Sequence, residues 1–171
     1  MRHFLKVIAF CTVLFIGSSA SAQTLKFGHI DFQQLLQAMP EREVAQQAMT
    51  KLQTDLENQL GVMQKEYQTK GQEYVAQVKE MTDAVRQTKE DEIQSLQQRI
   101  QTFTQQAQEN LQKEEAKQFQ PIIEKARAAI NDVAKEQGLI YVFEVNGVLY
   151  YNATQSTDLM PLVKTKLGIT K

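Results

Sequence analysis

Between Glu41 and Gln137 apolar side chains recur every three or four residues for roughly a hundred positions, and short strand-like segments flank the stretch on both sides. At a rise of ~1.5 Å per residue this is far too long for one helix inside a compact domain, so it is expected to project outward as an arm. The arm must also return to its base. Neither Gly nor Pro interrupts the chain between Gln72 and Gln120, and the midpoint places the reversal between Met81 and Lys89. Thr88, followed by Glu90 and Asp91, resembles a helix start with acids favoured in the first turn.

The outgoing half carries Ala45, Met49, Leu52, Leu56, Leu60, Met63, Tyr67, Gly71, Tyr74, Val78, Met81 and Val85 at steps averaging about 3.6 residues. That mixture of spacings predicts a seam that winds only weakly, without the supercoil of strict heptads. The returning half offers Ile93, Leu96, Ile100, Phe103, Ala107 and Leu111, then Phe119, Ile122, Ala126, Ile130 and Val133. Two such stripes can zip as a helical hairpin. Between Leu111 and Phe119 the stripe nearly vanishes, and Gly61, Gly71 and Pro121 add local weaknesses, because glycine lowers helix stability and a mid-helix proline removes a hydrogen bond. The hairpin is expected either to bend at these points or to tolerate them and stay straight.

Residues 1–22 read as an address. Arg2 and Lys6 precede the apolar run Val7–Gly17, and Ala20-Ser21-Ala22 supplies a small-x-small cleavage site, so a secretory signal peptide cut after Ala22 is expected. The run is short of the ~20 residues needed to span a bilayer. Its removal takes the only cysteine, Cys11, so disulfides cannot contribute to stability. It also lowers the formal net charge from −1 to −3, which argues against nucleic acid as a partner.

The flanks form a small β-rich base, expected from 23–40 and 138–171. Phe27 to Ile30 alternates as a strand, and Asp31 can cap a brief helix, Phe32 to Ala38, that stops before Pro40. After Gly138, a helix stop, a β-branched and aromatic run lies on each side of Asn146-Gly147, the signature of a tight hairpin. Thr157 or Asp158 can cap a last helix bearing Leu159, Leu162, Val163 and Leu167. So little sheet leaves unpaired edges, and self-association is the expected remedy.

Three stretches together resemble the Skp (OmpH) family of periplasmic chaperones: Lys26-Phe-Gly-His-Ile-Asp-Phe-Gln-Gln-Leu-Leu-Gln, Gln101-Thr-Phe-Thr-Gln-Gln-Ala-Gln, and Val133 through Tyr150. The similarity in order and length covers the whole mature chain. It implies an α+β, mostly helical fold, in which a long antiparallel helical-hairpin arm projects from a small β-barrel base formed by trimerisation, jellyfish-like. It also implies an ATP-independent holdase that keeps unfolded outer-membrane proteins in a cavity between the arms. The trimer base would then draw on Phe27, Ile30, Val142, Phe143, Val145 and Leu149. Members are often strongly basic, with a proposed lipopolysaccharide-binding patch; this acidic chain departs from that pattern, and the patch is not carried over.

The residues add their own arguments. No phosphate-cradling glycine loop is present. Met63, Tyr67, Tyr74 and Met81 can make weak, adaptable contacts with an apolar client, or they can simply zip one arm together, in which case client contact falls to residues beside the seam. His29, the only histidine after cleavage, shares a face with Asp31 and reads as packing or a surface pair rather than a base or ligand. No cysteine nucleophile, metal-spaced cluster or nucleophile elbow occurs, so neither an enzyme nor a cofactor is expected. The alternative from another class is a coiled-coil scaffold or adaptor of the cell envelope, for which continuous heptads would be required.

Overall fold

The structure is a computed structural model that describes residues 25–169. The expected leader and its cleavage site lie outside those residues. Strand β1 (Phe27–Ile30) leads into the short helix α1 (Phe32–Ala38), and two long helices follow, α2 (Pro40–Gln77) and α3 (Asp83–Glu136). Strand β2 (Tyr141–Glu144), a 3-10 turn (Val145–Gly147), strand β3 (Ser156–Asp158) and helix α4 (Met160–Lys166) complete the chain.

Local chemistry accounts for most of these boundaries. Asp31 Oδ1 accepts the Gln34 backbone N–H at 2.8 Å, capping α1 as expected. Met39 is extended, as a residue before proline should be, and Pro40 opens α2 with Glu41 and Glu43 in its first turn. At the other end of α3, Gly138 takes φ 64° while its N–H bonds the Lys135 carbonyl and the Leu139 N–H bonds that of Ala134. This paired closure needs a left-handed residue, which glycine supplies without a Cβ clash.

α2 has 38 residues and α3 has 54, so at ~1.5 Å per residue they run for about 57 and 80 Å. Their reversal occupies Val78 to Thr82, which corrects the expected helix start at Thr88. Thr82 is the N-cap, accepting from the Val85 N–H at 3.4 Å, with Asp83 in the first turn. Thr88 instead turns its hydroxyl back to the Ala84 carbonyl at 3.0 Å. Thr82-x-x-Val85 had no acid or amide at the third position to complete a capping box, so the sequence signal favoured the wrong threonine. Gly61, Gly71 and Pro121 all lie inside continuous helix.

The core sits at the root. Ile122, Ala126, Ala129 and Val133, on the last turns of α3, pack with Leu35, Met39, Ala45, Ile30, Leu159 and Val163. Alanine at 126 and 129 lets α1 and α4 approach α3 closely, while four larger side chains, Leu35, Met39, Leu159 and Val163, are fully buried.

The sheet has order β2-β1-β3, and both neighbours run parallel to β1, Phe27 facing Tyr141 on one side and Ser156 on the other. This overturns the hairpin expected at Asn146-Gly147. A type I′ turn would return the chain antiparallel beside β2, whereas here the outer edge of β2 stays unpaired. The turn at 145–147 is 3-10 with no positive φ, and the Asn146 amide donates to Glu144 Oε1 at 3.2 Å. Val148 to Tyr151 therefore joins no strand, and the sheet is open at both edges rather than closed into a barrel.

Gly28 fits where no side chain can. An added Cβ would stand 2.4 Å from Leu159 Cδ1 and 2.7 Å from Leu139 Cδ1. Because Leu159 is fully buried it has little room to move, so Gly28→Ala is expected to cost about 1–3 kcal/mol, read as a lowered midpoint in urea unfolding.

Candidate functional site

The arm is held by a thin seam. Met63, Tyr67, Tyr74 and Met81 are all half-buried between α2 and α3, as are Leu52, Leu56 and Leu60 on one side and Ile100, Phe103, Ala107 and Leu111 on the other. Of the two roles open to Met63, Tyr67, Tyr74 and Met81, this placement favours zipping. Where the apolar stripe fails, Glu114 and Gln118 occupy it, Gln118 Nε2 donating to Glu114 Oε1 at 2.7 Å. That bond, with Lys117 at 3.1 Å, holds the Glu114 carboxyl below its ordinary range.

Polar ties between the helices cluster at two levels among the described residues. Towards the tip, Lys70 Nζ meets Glu92 at 3.1 Å, with Lys89 adding a contact at 3.6 Å, and the Tyr74 hydroxyl donates to Glu90. The Lys70 bond lowers the Glu92 carboxyl and raises the Lys70 ammonium, and the Glu90 bond raises the Tyr74 phenol. At the root Lys125 bonds Glu41 and holds that carboxyl low. Exposed pairs of this kind contribute little each and weaken in salt. The long middle of the arm has only its seam, flanked by a groove lined by Gln59, Met63, Gln98, Arg99, Phe103 and Gln106 and by another beside Tyr67 and Ile100.

The base presents a second apolar feature. Phe27, Tyr141 and Phe143 form a cluster on the outer face of the sheet, with ring centroids 6.1–6.4 Å apart. Tyr141 is 61% and Phe143 42% exposed, unusual for aromatic rings gathered on one face. Leu149 and Tyr150 stand out in solvent nearby in sequence. Of the other expected base residues, Val142 and Val145 are half-buried, and Ile30 lies in the protomer's own core.

His29 belongs to this face too. Its Nδ1 lies 2.9 Å from Ser156 Oγ and its ring packs on Tyr151, while Asp31 is committed to capping α1. No group of His, Cys, Asp or Glu able to hold a metal occurs among the described residues. Beside β2, a groove of about 510 Å³ is lined in part by Phe32, Arg127, Ile130, Leu139 and Glu144. The Glu144 carboxylate accepts the Phe32 N–H with both oxygens, at 2.9 and 3.2 Å, and Arg127 lies 6.0 Å over the Phe32 ring. These contacts tie β2 to α1 and α3.

A family model described as outer membrane protein (OmpH-like) matches residues 26–167, from β1 through α4. The chain belongs to the OmpH-like family. A solved OmpH-like protein from Caulobacter crescentus, a candidate outer membrane chaperone, shares its fold with TM-score 0.73 at 10% identity, covering 90% of this chain and 89% of that one. A search of curated proteins finds no match. At such low identity the common element is architecture, a helical hairpin on a small sheet.

Two features of this OmpH-like chain, one in the arm and one in the base, carry no clear mark in the sequence. The Lys70–Glu92 tie joins residues 22 apart, and only the true reversal at Val78–Thr82 brings them level. Glu144 as an N-terminal cap for α1, 112 residues away, has no sequence signal at all.

Proposed function

We propose that this protein is an ATP-independent periplasmic holdase chaperone, exported by a leader cut after Ala22, that keeps unfolded outer-membrane proteins from aggregating. The carrying observation is the form of the arm: a long helical hairpin whose seam is half-exposed over most of its length and tied by polar pairs only near its ends. Such an arm suits many weak contacts with a mobile client better than one rigid interface. It also supports the holdase over the scaffold, which would need a continuous, well-buried stripe.

In this reading three copies join through the base. The open sheet edges, the aromatic cluster of Phe27, Tyr141 and Phe143, and the unpaired Val148–Tyr151 segment are the surfaces a closed barrel would use. Three arms would then bound a cavity, and Met63, Tyr67, Tyr74 and Met81 would reach a client only through their exposed edges. Binding and release would follow from client folding, with neither nucleotide nor catalysis.

The test is light scattering of a urea-diluted porin. A molar excess of assembled protein is expected to suppress most of the scattering. Aggregation that proceeds undiminished would reject the holdase and leave the scaffold reading.

A further inference from the structure

We infer that the groove walled by Gln64 and Gln68 of α2 and by Gln97 and Gln101 of α3 is a track for the peptide backbone of an extended, unfolded chain; the inference rests on the holdase reading and names what its arm touches. The groove holds about 500 Å³, has Tyr67 and Ile100 as its floor, and carries no charged side chain. On an arm so rich in Lys, Glu and Asp, that neutrality suits an occupant that is itself neutral whatever its sequence.

Gln47, Gln53, Gln105 and Gln120 each donate to a glutamate one turn away, Glu43, Glu57, Glu109 and Glu124, at 2.8–3.1 Å. Among the described residues the side-chain amides of Gln64, Gln68, Gln97 and Gln101 have no such partner. Gln59, Gln98 and Gln106 are unbonded too but share their groove with Arg99, whereas here four unoccupied glutamine amides meet in a groove with no charged side chain. Each of the four therefore presents two N–H donors and a carbonyl acceptor to whatever enters.

Their spacing matches an extended backbone. Gln64 and Gln68, like Gln97 and Gln101, are four residues apart on a helix, a rise of about 6 Å. An extended strand repeats every second residue at about 6.6–6.8 Å, so successive outward-facing peptide groups fall opposite successive amides with a mismatch below about 1 Å over one repeat. Glutamine rotamers can absorb that difference. The strand's alternate side chains would face Tyr67 and Ile100, both half-buried and still accessible.

Neutral amide pairs make modest net contributions, so a client held this way is held by several bonds and can leave them one at a time. Because the seam residues are engaged with each other, these amides supply the directional part of the contact and the seam edges supply the apolar part.

Two quadruple variants of the full-length assembled protein test the inference: Q64A/Q68A/Q97A/Q101A in the groove, and Q47A/Q53A/Q105A/Q120A, whose amides are already occupied. Alanine is the better helix former, so both keep their helices, as circular dichroism checks. Affinity for a fluorescently labelled, urea-diluted porin is expected to fall about tenfold or more in the groove variant and to stay within about twofold in the other. Equal weakening in both, or no weakening in the groove variant, overturns the track. A parent protein that binds no porin at all overturns the holdase reading itself.

Discussion

Replacing both Tyr141 and Phe143 by aspartate is expected to turn the proposed trimer into monomers of unchanged helicity. In the single chain Tyr141 is 61% and Phe143 42% exposed, and their rings pack with Phe27 and each other on the sheet surface, outside the buried core, so the double change removes little that the protomer needs. In an assembly that closes the sheet they would be enclosed, and an unpaired carboxylate there costs several kcal/mol for each chain. Symmetry multiplies the penalty across the three copies. Sedimentation equilibrium at micromolar concentration should return the mass of three chains for the parent and of one for the variant. A variant that keeps the parent's mass would place the interface elsewhere, for example on the Val148–Tyr151 segment.

Leu159→Ala should have the opposite selectivity, unfolding the base rather than dissolving an assembly. Leu159 is fully buried, its backbone N–H donates to the His29 carbonyl at 3.0 Å, and its side chain fills the space left by Gly28. Truncating such a leucine costs about 3–5 kcal/mol, against a total stability of about 5–15 kcal/mol for ordinary domains. A core of ten residues cannot readily absorb that loss. Thermal melts followed by circular dichroism should show a large drop in the midpoint. Leu162→Ala, one turn along and 38% exposed, should cost about 1 kcal/mol or less. Comparable losses from the two would mean that the base is not organised around this leucine.

The arm was legible in the sequence because a seam is a local, repeated signal. From Ala45 to Met81 every apolar position assigned to the outgoing stripe lies buried or half-buried, and so do those assigned to the returning stripe. Val85, the last outgoing assignment, lies beyond the reversal and is 46% exposed. The reversal at Val78–Thr82 overlaps the expected Met81–Lys89 window only at Met81 and Thr82, because a turn without Gly or Pro is marked by no more than its capping threonine, and Thr88 with its acids gave the stronger cap signal.

The base was less legible because its pairing is wholly non-local. Asn146-Gly147 carries a strong hairpin signal, yet residues 145–147 take a 3-10 turn with no positive φ and the outer edge of β2 stays unpaired, while β1 gathers its two partners from distant parts of the chain. Of the expected base residues, Ile30 faces the protomer's core with Gly28, on the side of β1 opposite Phe27 and His29. For the candidate site, the sequence could name the seam but could not separate occupied from unoccupied glutamines. That distinction depends on which glutamate stands one turn away and on which face meets the other helix.

In the proposed assembly, arms projecting from a common base enclose an unfolded polypeptide. Neutron scattering from a complex of deuterated porin with unlabelled protein, at the contrast where each component is matched in turn, tests this enclosure most directly. The expected result is a compact client whose centre of mass falls between the arms, less than one arm length of about 57 Å from the base. A client centred beyond the tips, or spread along the outer surface of a solid rod, would contradict it.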